Sequence, residues 1–470
     1  MAFRKVFFVP FVSFVFCFSV VAGAQPHVTG SISNVTRVES WSYFEPRADL
    51  PPEAVGDPDY TFIGDRAELG VRIDGRRFDL SGAFNYVRIE NLPTRAIGPG
   101  ALGPGAFYFA ATGVRYSYQL YLGELTLRMK SADRKRSFTV GRMALGTQSI
   151  NRLVRERIES RLIGDFDDSF YERRFDGARV DFDRGPWHFT GGAFMPTQGG
   201  YEESTNLTMT RIRLATASAT HTTNSGESQA FVHAYRDKRQ RRMAVVDNRL
   251  TTDRPPDVTI TSLGGSHAQT IASARGEFDV VLWGVGQLGD WYGMPHRAGS
   301  AALEGGHRWT QSAGKPWLRG GYLWASGDGD AGDGHHTTFF QMLPTSRKYA
   351  LSAVYSQMNV RDVFAQLWIE PRRFNARIEV HGLTLASGRD LWYQGSGATA
   401  SGDRFFGYSG RHAGGETSLG TVLEGTVAVP IKKFWSVSAY VGTMWGGGAV
   451  QRWFTDAPLV FWSLENVLRF

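Results

Sequence analysis

Residues 173–182 read RRFDGARVDF, directly after RLIGDFDDSFYE at 161–172. Arg173, Arg174, Asp176, Arg179 and Asp181 crowd this segment, while Ala178, Val180 and Phe182 share one parity. A run that is apolar on one side and charged on the other separates two unlike environments. The same division recurs along the chain, so the question is which environments these are.

In 66–73, RAELGVRI, Arg66, Glu68 and Arg72 oppose Ala67, Leu69, Val71 and Ile73. After Asp74-Gly75-Arg76 the next run, RFDLSGAFNY, sets Phe78, Leu80, Phe84 and Tyr86 against Arg77, Asp79, Ser81 and Asn85. In 374–381, Phe374, Ala376, Ile378 and Val380 oppose Asn375, Arg377, Glu379 and His381. Further on, Leu419, Leu423, Val427 and Val429 oppose Glu416, Ser418, Glu424 and Thr426. Alternation at period two marks a strand between two media. A soluble sandwich would bury the apolar face against a second sheet. An outer-membrane barrel turns it to lipid and lines a wet lumen with the polar face, which tolerates charge at successive positions. The expected fold is therefore all-β, a transmembrane antiparallel barrel.

The two ends agree with this. MAFRKVFFVPFVSFVFCFSVVAGAQ has a basic start at Arg4 and Lys5, an apolar stretch from Val6 to Val21 and small residues Ala22-Gly23-Ala24. It reads as a secretory signal peptide over 1–24, followed by a single barrel over 25–470. A membrane anchor is the alternative, but the run is short and Pro10 interrupts it. Cys17, the single cysteine, leaves with the leader, so no disulfide is expected. At the other end Phe470 shares its parity with Val460, Trp462, Leu464 and Leu468, resembling the sorting signal of outer-membrane barrels; Asn466 interrupts the row.

Short links at 74–76, 370–372 and 429–432 read as periplasmic turns, and long ones at about 91–113, 237–257, 326–346 and 388–413 as external loops. At roughly 25 residues per strand with its connection, the chain accommodates about 18 strands, an even number as in bacterial barrels. The formal charge is +7, two units of which belong to the leader. That surplus favours anionic partners, but export argues against nucleic acid.

Few stretches invite an enzyme reading. Gly98 to Gly103 matches the dinucleotide glycine pattern, but prolines at 99 and 104 and the lack of a strand–turn–helix setting leave it a loop. Asp165, Asp167 and Asp168 would supply paired carboxylates for sugar chemistry, yet such clusters are common in barrel interiors. No nucleophile and base are legible together. Ser326 to His336, SGDGDAGDGHH, offers oxygen ligands that suit calcium, but the spacing fits no EF-hand and a solvated acidic loop is the simpler reading. No cofactor is expected. In NRLVRERIESRLIG, 151–164, arginines alternate with Glu156 and Glu159. This is either a salt-bridged solvated helix or a cationic constriction inside a pore.

The residues also resemble the alginate export porin family of Gram-negative outer membranes. The resemblance starts at Gly141-Arg142, runs through 161–164 and peaks at Arg174-Phe175-Asp176-Gly177-Ala178-Arg179. It resumes at 322–328, Thr338-Phe339, Leu343-Pro344, 385–387, 390–393 and Gly415-Glu416. Met143 stands where the family usually has Gln, and the stretch to Arg161 is longer. The resemblance implies a monomeric 18-stranded barrel with an electropositive lumen. One member of the family passes an anionic uronic-acid polysaccharide outward. Arg142, Arg161, Arg174, Asp176 and Arg179 fall on matching positions and are the lumen candidates. Arg66, Arg72, Arg77 and Arg377 join them by parity alone. The expected function is an outer-membrane channel for an anionic saccharide such as alginate, with outer-membrane lipid and a periplasmic secretion complex as partners. The alternatives are a general anion-preferring porin for small solutes and, further off, a barrel enzyme.

Overall fold

Leu303 is 57% exposed, while Glu304 beside it is 2% exposed. The same inversion repeats around the molecule. Leu69, Val180, Leu263, Val363, Ile378 and Leu423 lie bare on the outer surface, and Asp181, Arg319, Asp362, Glu379, His381 and Glu424 are buried. Water outside would penalise such an arrangement, whereas hydrocarbon favours it.

The structure, a computed structural model, describes residues 26–470 apart from 51–55, 99, 147–148, 150, 202–206, 240–256, 346–353 and 396–407. The expected leader lies outside the described residues, as do most of the expected loop 237–257 and part of 388–413. The wall strands are β1 (His27–Ser42), β2 (Asp59–Asp74), β3 (Phe78–Glu90), β4 (Ser117–Lys130), β5 (Arg136–Met143) and β6 (Phe175–Arg184). They continue with β7 (Trp187–Pro196), β8 (Ile212–Thr222), β9 (Gly226–Asp237), β10 (Val258–Ser273), β11 (Gly276–Trp291) and β12 (Met294–Arg308). The last six are β13 (Trp317–Ala325), β14 (Val360–Ile369), β15 (Asn375–Leu385), β16 (Ser418–Lys432), β17 (Trp435–Gly446) and β18 (Leu459–Arg469). All 18 form one antiparallel sheet, each paired with its chain neighbour, and β1 also pairs with β18, so the sheet closes. Ile32 and Phe470 exchange both backbone hydrogen bonds at that seam, at 3.1 and 2.8 Å.

Aromatic residues ring both ends of the outer surface. Phe78, Trp187, Phe374 and the stacked pair Phe434 and Phe470 sit at the short-turn end, and Tyr86, Tyr118, Trp324 and Trp445 toward the long-loop end. Such rings anchor a barrel at the two water–lipid boundaries. Asn466, the interruption in the last strand, accepts a 2.7 Å hydrogen bond from the Trp435 indole.

Several local expectations need correction. The chain does not turn at 429–432: β16 runs on to Lys432 through an irregularity at Pro430, which has no N–H for the ladder, and the turn is Lys433-Phe434. A register shift where β16 meets Leu383 and Thr384 flips the parity of Leu419, which is fully buried inside instead of facing out. The glycine pattern at 98–103 does lead into a helix, α1 (Pro104–Thr112), with Gly103 as its N-cap. Ala106, Phe107 and Tyr108 of that helix are buried, the two rings packing on Phe62, Phe170, Tyr171 and Tyr201. One link at the long-loop end is a tight hairpin, Tyr292-Gly293, where both residues have positive φ (53° and 81°) and glycine removes the strain at the second.

Candidate functional site

Between β5 and β6 the chain leaves the wall at Met143 and returns at Phe175. Both wall strands are short, and the connection 144–174 turns inward. Asn151 caps a one-and-a-half-turn helix, α2 (Arg152–Arg157), by accepting from the Leu153 N–H at 3.0 Å. Arg152 then reaches Glu370 at 2.5 Å and lies over the Trp368 ring at 4.3 Å, both near the β14–β15 turn on the far wall. Ser149 donates to Glu227 of β9 at 2.7 Å. The connection is therefore a crossbar, spanning the lumen from β5 to β14. It answers the open reading of 151–164: the segment lies inside the barrel, with Arg157 and Arg161 buried, Arg152 half-buried and Arg155 exposed.

The crossbar is fixed at three further places. Arg157 and Arg161 both donate to Glu304 of β12, at 2.6 and 2.8 Å. Arg319 of β13 donates to the same Glu304 at 3.1 Å and to Asp279 of β11 at 3.0 Å. Next, residues 160–164 pair with the connection between β13 and β14: Gly164 N–H to Leu343 O is 2.7 Å, and Leu343 N–H to Leu162 O is 2.8 Å. The Arg173 guanidinium sits beneath this junction, donating to the carbonyls of Gly164, Leu343 and Pro344. Finally, Arg37 of β1 donates to Asp168 O at 2.7 Å, and Arg66 of β2 donates to Ser169 O at 3.0 Å and pairs with Glu172 at 2.8 Å. Burial pushes the Asp165 carboxyl up to about 6, opposed by the Arg174 charge and by the Leu145 and Gly146 amides, which it accepts at 2.7 and 2.6 Å.

The sequence candidates separate into groups. Arg161 and Arg174 belong to the crossbar; Arg174 pairs with Glu172 at 2.5 Å, so it shares that carboxylate with Arg66. Arg179 faces inward on β6 and pairs with Asp181. Arg377 faces inward on β15, 3.4 Å from Glu379. Arg72 has inward parity but sits at the barrel end, half exposed and paired with Asp74. Arg77 lies in the turn 75–77, one residue before β3, so its parity has no wall to act on.

Arg142 and Asp176 depart from expectation. They are register partners that alternate with Met143 and Phe175, both buried inside, and share their side of the sheet with Leu125, Val140 and Val180, all exposed outward. They form a bidentate pair at 2.7 and 2.8 Å, covered by the Thr208 hydroxyl, on the outer side of the wall. Gly141 before them has φ 127°, and a Cβ there would lie 2.1 Å from the Leu125 carbonyl. The Gly-Arg pair is thus a wall feature in which glycine permits close strand approach.

Glu304, Arg319 and Asp279 form a buried charge cluster with Arg157 and Arg161, and no motif pointed to them. Their signal was one charged residue at a buried inward position on each of three consecutive strands. In the loop 326–336, Asp328, Asp330 and Asp333 accept from the nearby backbone amides of Asp330, Gly332 and His335.

A family model described as alginate export matches residues 118–453. Comparison with curated proteins finds no match. Among solved structures, OccAB1 of Acinetobacter baumannii is 8% identical over 94% of this chain and 96% of its own, with a TM-score of 0.57. A BenF-like porin from Pseudomonas fluorescens Pf-5 is 9% identical over 94% and 98%, TM-score 0.57. Pseudomonas aeruginosa OpdK, solved with vanillate, is 9% identical over 94% and 98%, TM-score 0.54. At such identities the likeness is one of fold.

Proposed function

The chain belongs to the alginate export family of outer-membrane barrels, and from that premise we propose that it conducts an anionic saccharide, an alginate-like polyuronate, through its arginine-lined lumen. The observation that carries this reading is the pair of arginine clusters by which the crossbar meets the wall. Arg157, Arg161 and Arg319 share two carboxylates, Glu304 and Asp279, and Arg66 and Arg174 share one, Glu172. In these two clusters the ion pairs join five guanidiniums to three carboxylates. A polyuronate carries one carboxylate per sugar, and guanidinium binds carboxylate as a fork. Distributed, partly compensated arginines attract such a chain without trapping it, since conduction needs binding weak enough to release. The passage requires no catalysis. A single barrel suffices, and outward movement would require a periplasmic source that delivers the polymer.

A second reading, uptake of small anions, is favoured by one observation. The crossbar is hydrogen-bonded to the β13–β14 connection in mid-lumen, which narrows the passage. Vanillate in OpdK is a small carboxylate of the size that this reading requires. Single-channel recording in planar bilayers separates the two. Anion-selective reversal potentials with current block by uronate oligomers, stronger as the oligomer lengthens, support the polymer channel. Block by monocarboxylates alone supports the small-solute porin, and cation selectivity sinks both.

A further inference from the structure

Glu379 of β15 and Glu424 of β16 stand directly opposite each other in register. Both face inward and are 2% and 3% exposed. Like charges directly opposed across a strand pair work against folding, and carboxylates sealed from water need a counter-charge. His381 lies next along the same face of β15. Its Nδ1 is 3.0 Å from both oxygens of Asp362 on β14. A carboxylate can only accept, so it holds a proton on Nδ1, and Nε2 is the ring nitrogen turned toward the glutamates, 3.7 Å from Glu379 Oε2. Neither oxygen of Glu379 nor Nε2 of His381 has a hydrogen-bond partner. Tyr440 donates to one oxygen of Glu424 at 2.6 Å, and Tyr355 donates to Asp362 at 2.8 Å.

One ligand atom from each of Glu379, His381 and Glu424 lies within 4.8 Å of the other two. Around a neutral imidazole, Asp362, Glu379 and Glu424 face one guanidinium, that of Arg377, 3.4 Å from Glu379. Arg157, the next cation inward, is committed to Glu304 by two hydrogen bonds. With the imidazole neutral, three carboxylates beside one adjacent guanidinium give the cluster negative charge that a divalent ion would offset. We propose that Glu379, His381 and Glu424 bind a first-row divalent cation, zinc in particular, with Asp362 orienting the imidazole and Tyr440 the Glu424 carboxylate. Zinc accepts imidazole nitrogen and carboxylate oxygen together, whereas calcium and magnesium take oxygen alone. A carboxylate on the far nitrogen is the usual support of a metal-binding histidine. The ion ties β15 to β16 inside the wall. Through Asp362 and Tyr355 it also steadies the connection that holds the crossbar.

The test uses the folded barrel in detergent, stripped with a chelator, dialysed and titrated with Zn²⁺ by calorimetry. A crystal of the reloaded protein is scanned at the zinc absorption edge. One Zn²⁺ per barrel is expected, with an anomalous peak among the three side chains. Binding should vanish in Glu379→Gln and weaken roughly 10–100-fold in Asp362→Asn, while Asp330→Asn in the exposed loop leaves it unchanged. Glu424→Gln gives an independent reading should Glu379→Gln fail to show the heat-modifiable band of a folded barrel. A folded, stripped wild type that takes up no zinc overturns the site. So does zinc binding that folded Glu379→Gln or Glu424→Gln leaves unaltered, and an imidazolium is then the charge that separates the glutamates.

Discussion

Arg161 of the crossbar meets Glu304 of β12 at 2.8 Å, with both side chains 1% exposed. The first belongs to a connection that leaves the wall at β5, the second to the opposite wall. This one carboxylate, shared with Arg157 and Arg319, is the anchor that ties the middle of the inward connection 144–174 to β12. Removing one partner of a buried ion pair leaves charge uncompensated, which costs more than the pair contributes.

Glu304→Gln should therefore destabilise the folded barrel by about 3–5 kcal/mol and free the crossbar. Urea unfolding in liposomes measures the first effect, and an increase in single-channel conductance measures the second. Unchanged conductance in a folded Glu304→Gln barrel would show that the crossbar does not depend on this anchor.

Parity gives a test of the wall. Leu69 is 49% exposed on the outer face. Arginine at position 69 should cost about 2–4 kcal/mol if the residue sits at mid-bilayer, falling toward zero at the interface. Urea titration of Leu69→Arg beside wild type reads this directly, and no cost would contradict a lipid-facing Leu69.

Charge reversal separates lumen from outer wall. Arg179→Glu changes an inward site by two charge units, so anion preference should fall partially. The effect should be larger at low salt, because fields are screened over about 8–10 Å at physiological strength. Arg142→Glu, on the outer side, should leave reversal potentials unchanged while weakening the barrel through its loss of Asp176. The opposite pattern would place Arg142, rather than Arg179, along the conduction path.

The loops carry a pH dependence. Asp390 is buried in the β15–β16 connection, and burial pushes its carboxyl up to about 7, against hydrogen bonds from Thr338, Asp328 N–H, Tyr393 and Leu391 N–H. A carboxyl raised above its unfolded value of about 3.9 holds its proton more tightly when folded. Its contribution to docking is therefore present at low pH and is lost as pH rises from about 4 to about 7. The protection factor of the Asp328 amide, which is its exchange corrected for the intrinsic rise with hydroxide, should fall over that window and become flat with pH in Asp390→Asn. A wild-type protection factor that does not change between about pH 4 and about pH 7 would show that the carboxyl is not raised by burial.

Much of the wall was legible because parity is local. Arg66, Glu379 and Ile378 each fell on the side that their neighbours required. What parity missed arises where the ladder slips. Leu419 was lost to the register shift opposite Leu383, and Arg142 and Asp176 were misplaced because motif matching, not alternation, put them in the lumen. The crossbar was invisible for another reason. Its arginines find their acids some 147 residues away, as Arg157 does with Glu304, and no periodicity records which wall a connection will touch.

The seam at Ile32 and Phe470 governs how the molecule is made. Every other wall contact joins consecutive strands and needs only a modest loop to close. This one must bring together residues separated by nearly the whole chain, at an entropic cost that grows with the logarithm of that separation and slows folding more than it weakens the product. Until it zips, β1 and β18 are bare edges, the condition in which strands add to a neighbour's sheet. The ring is therefore at its most sociable in the interval before closure, and an escorting protein that masks those two edges would determine whether chains finish as barrels or as aggregates.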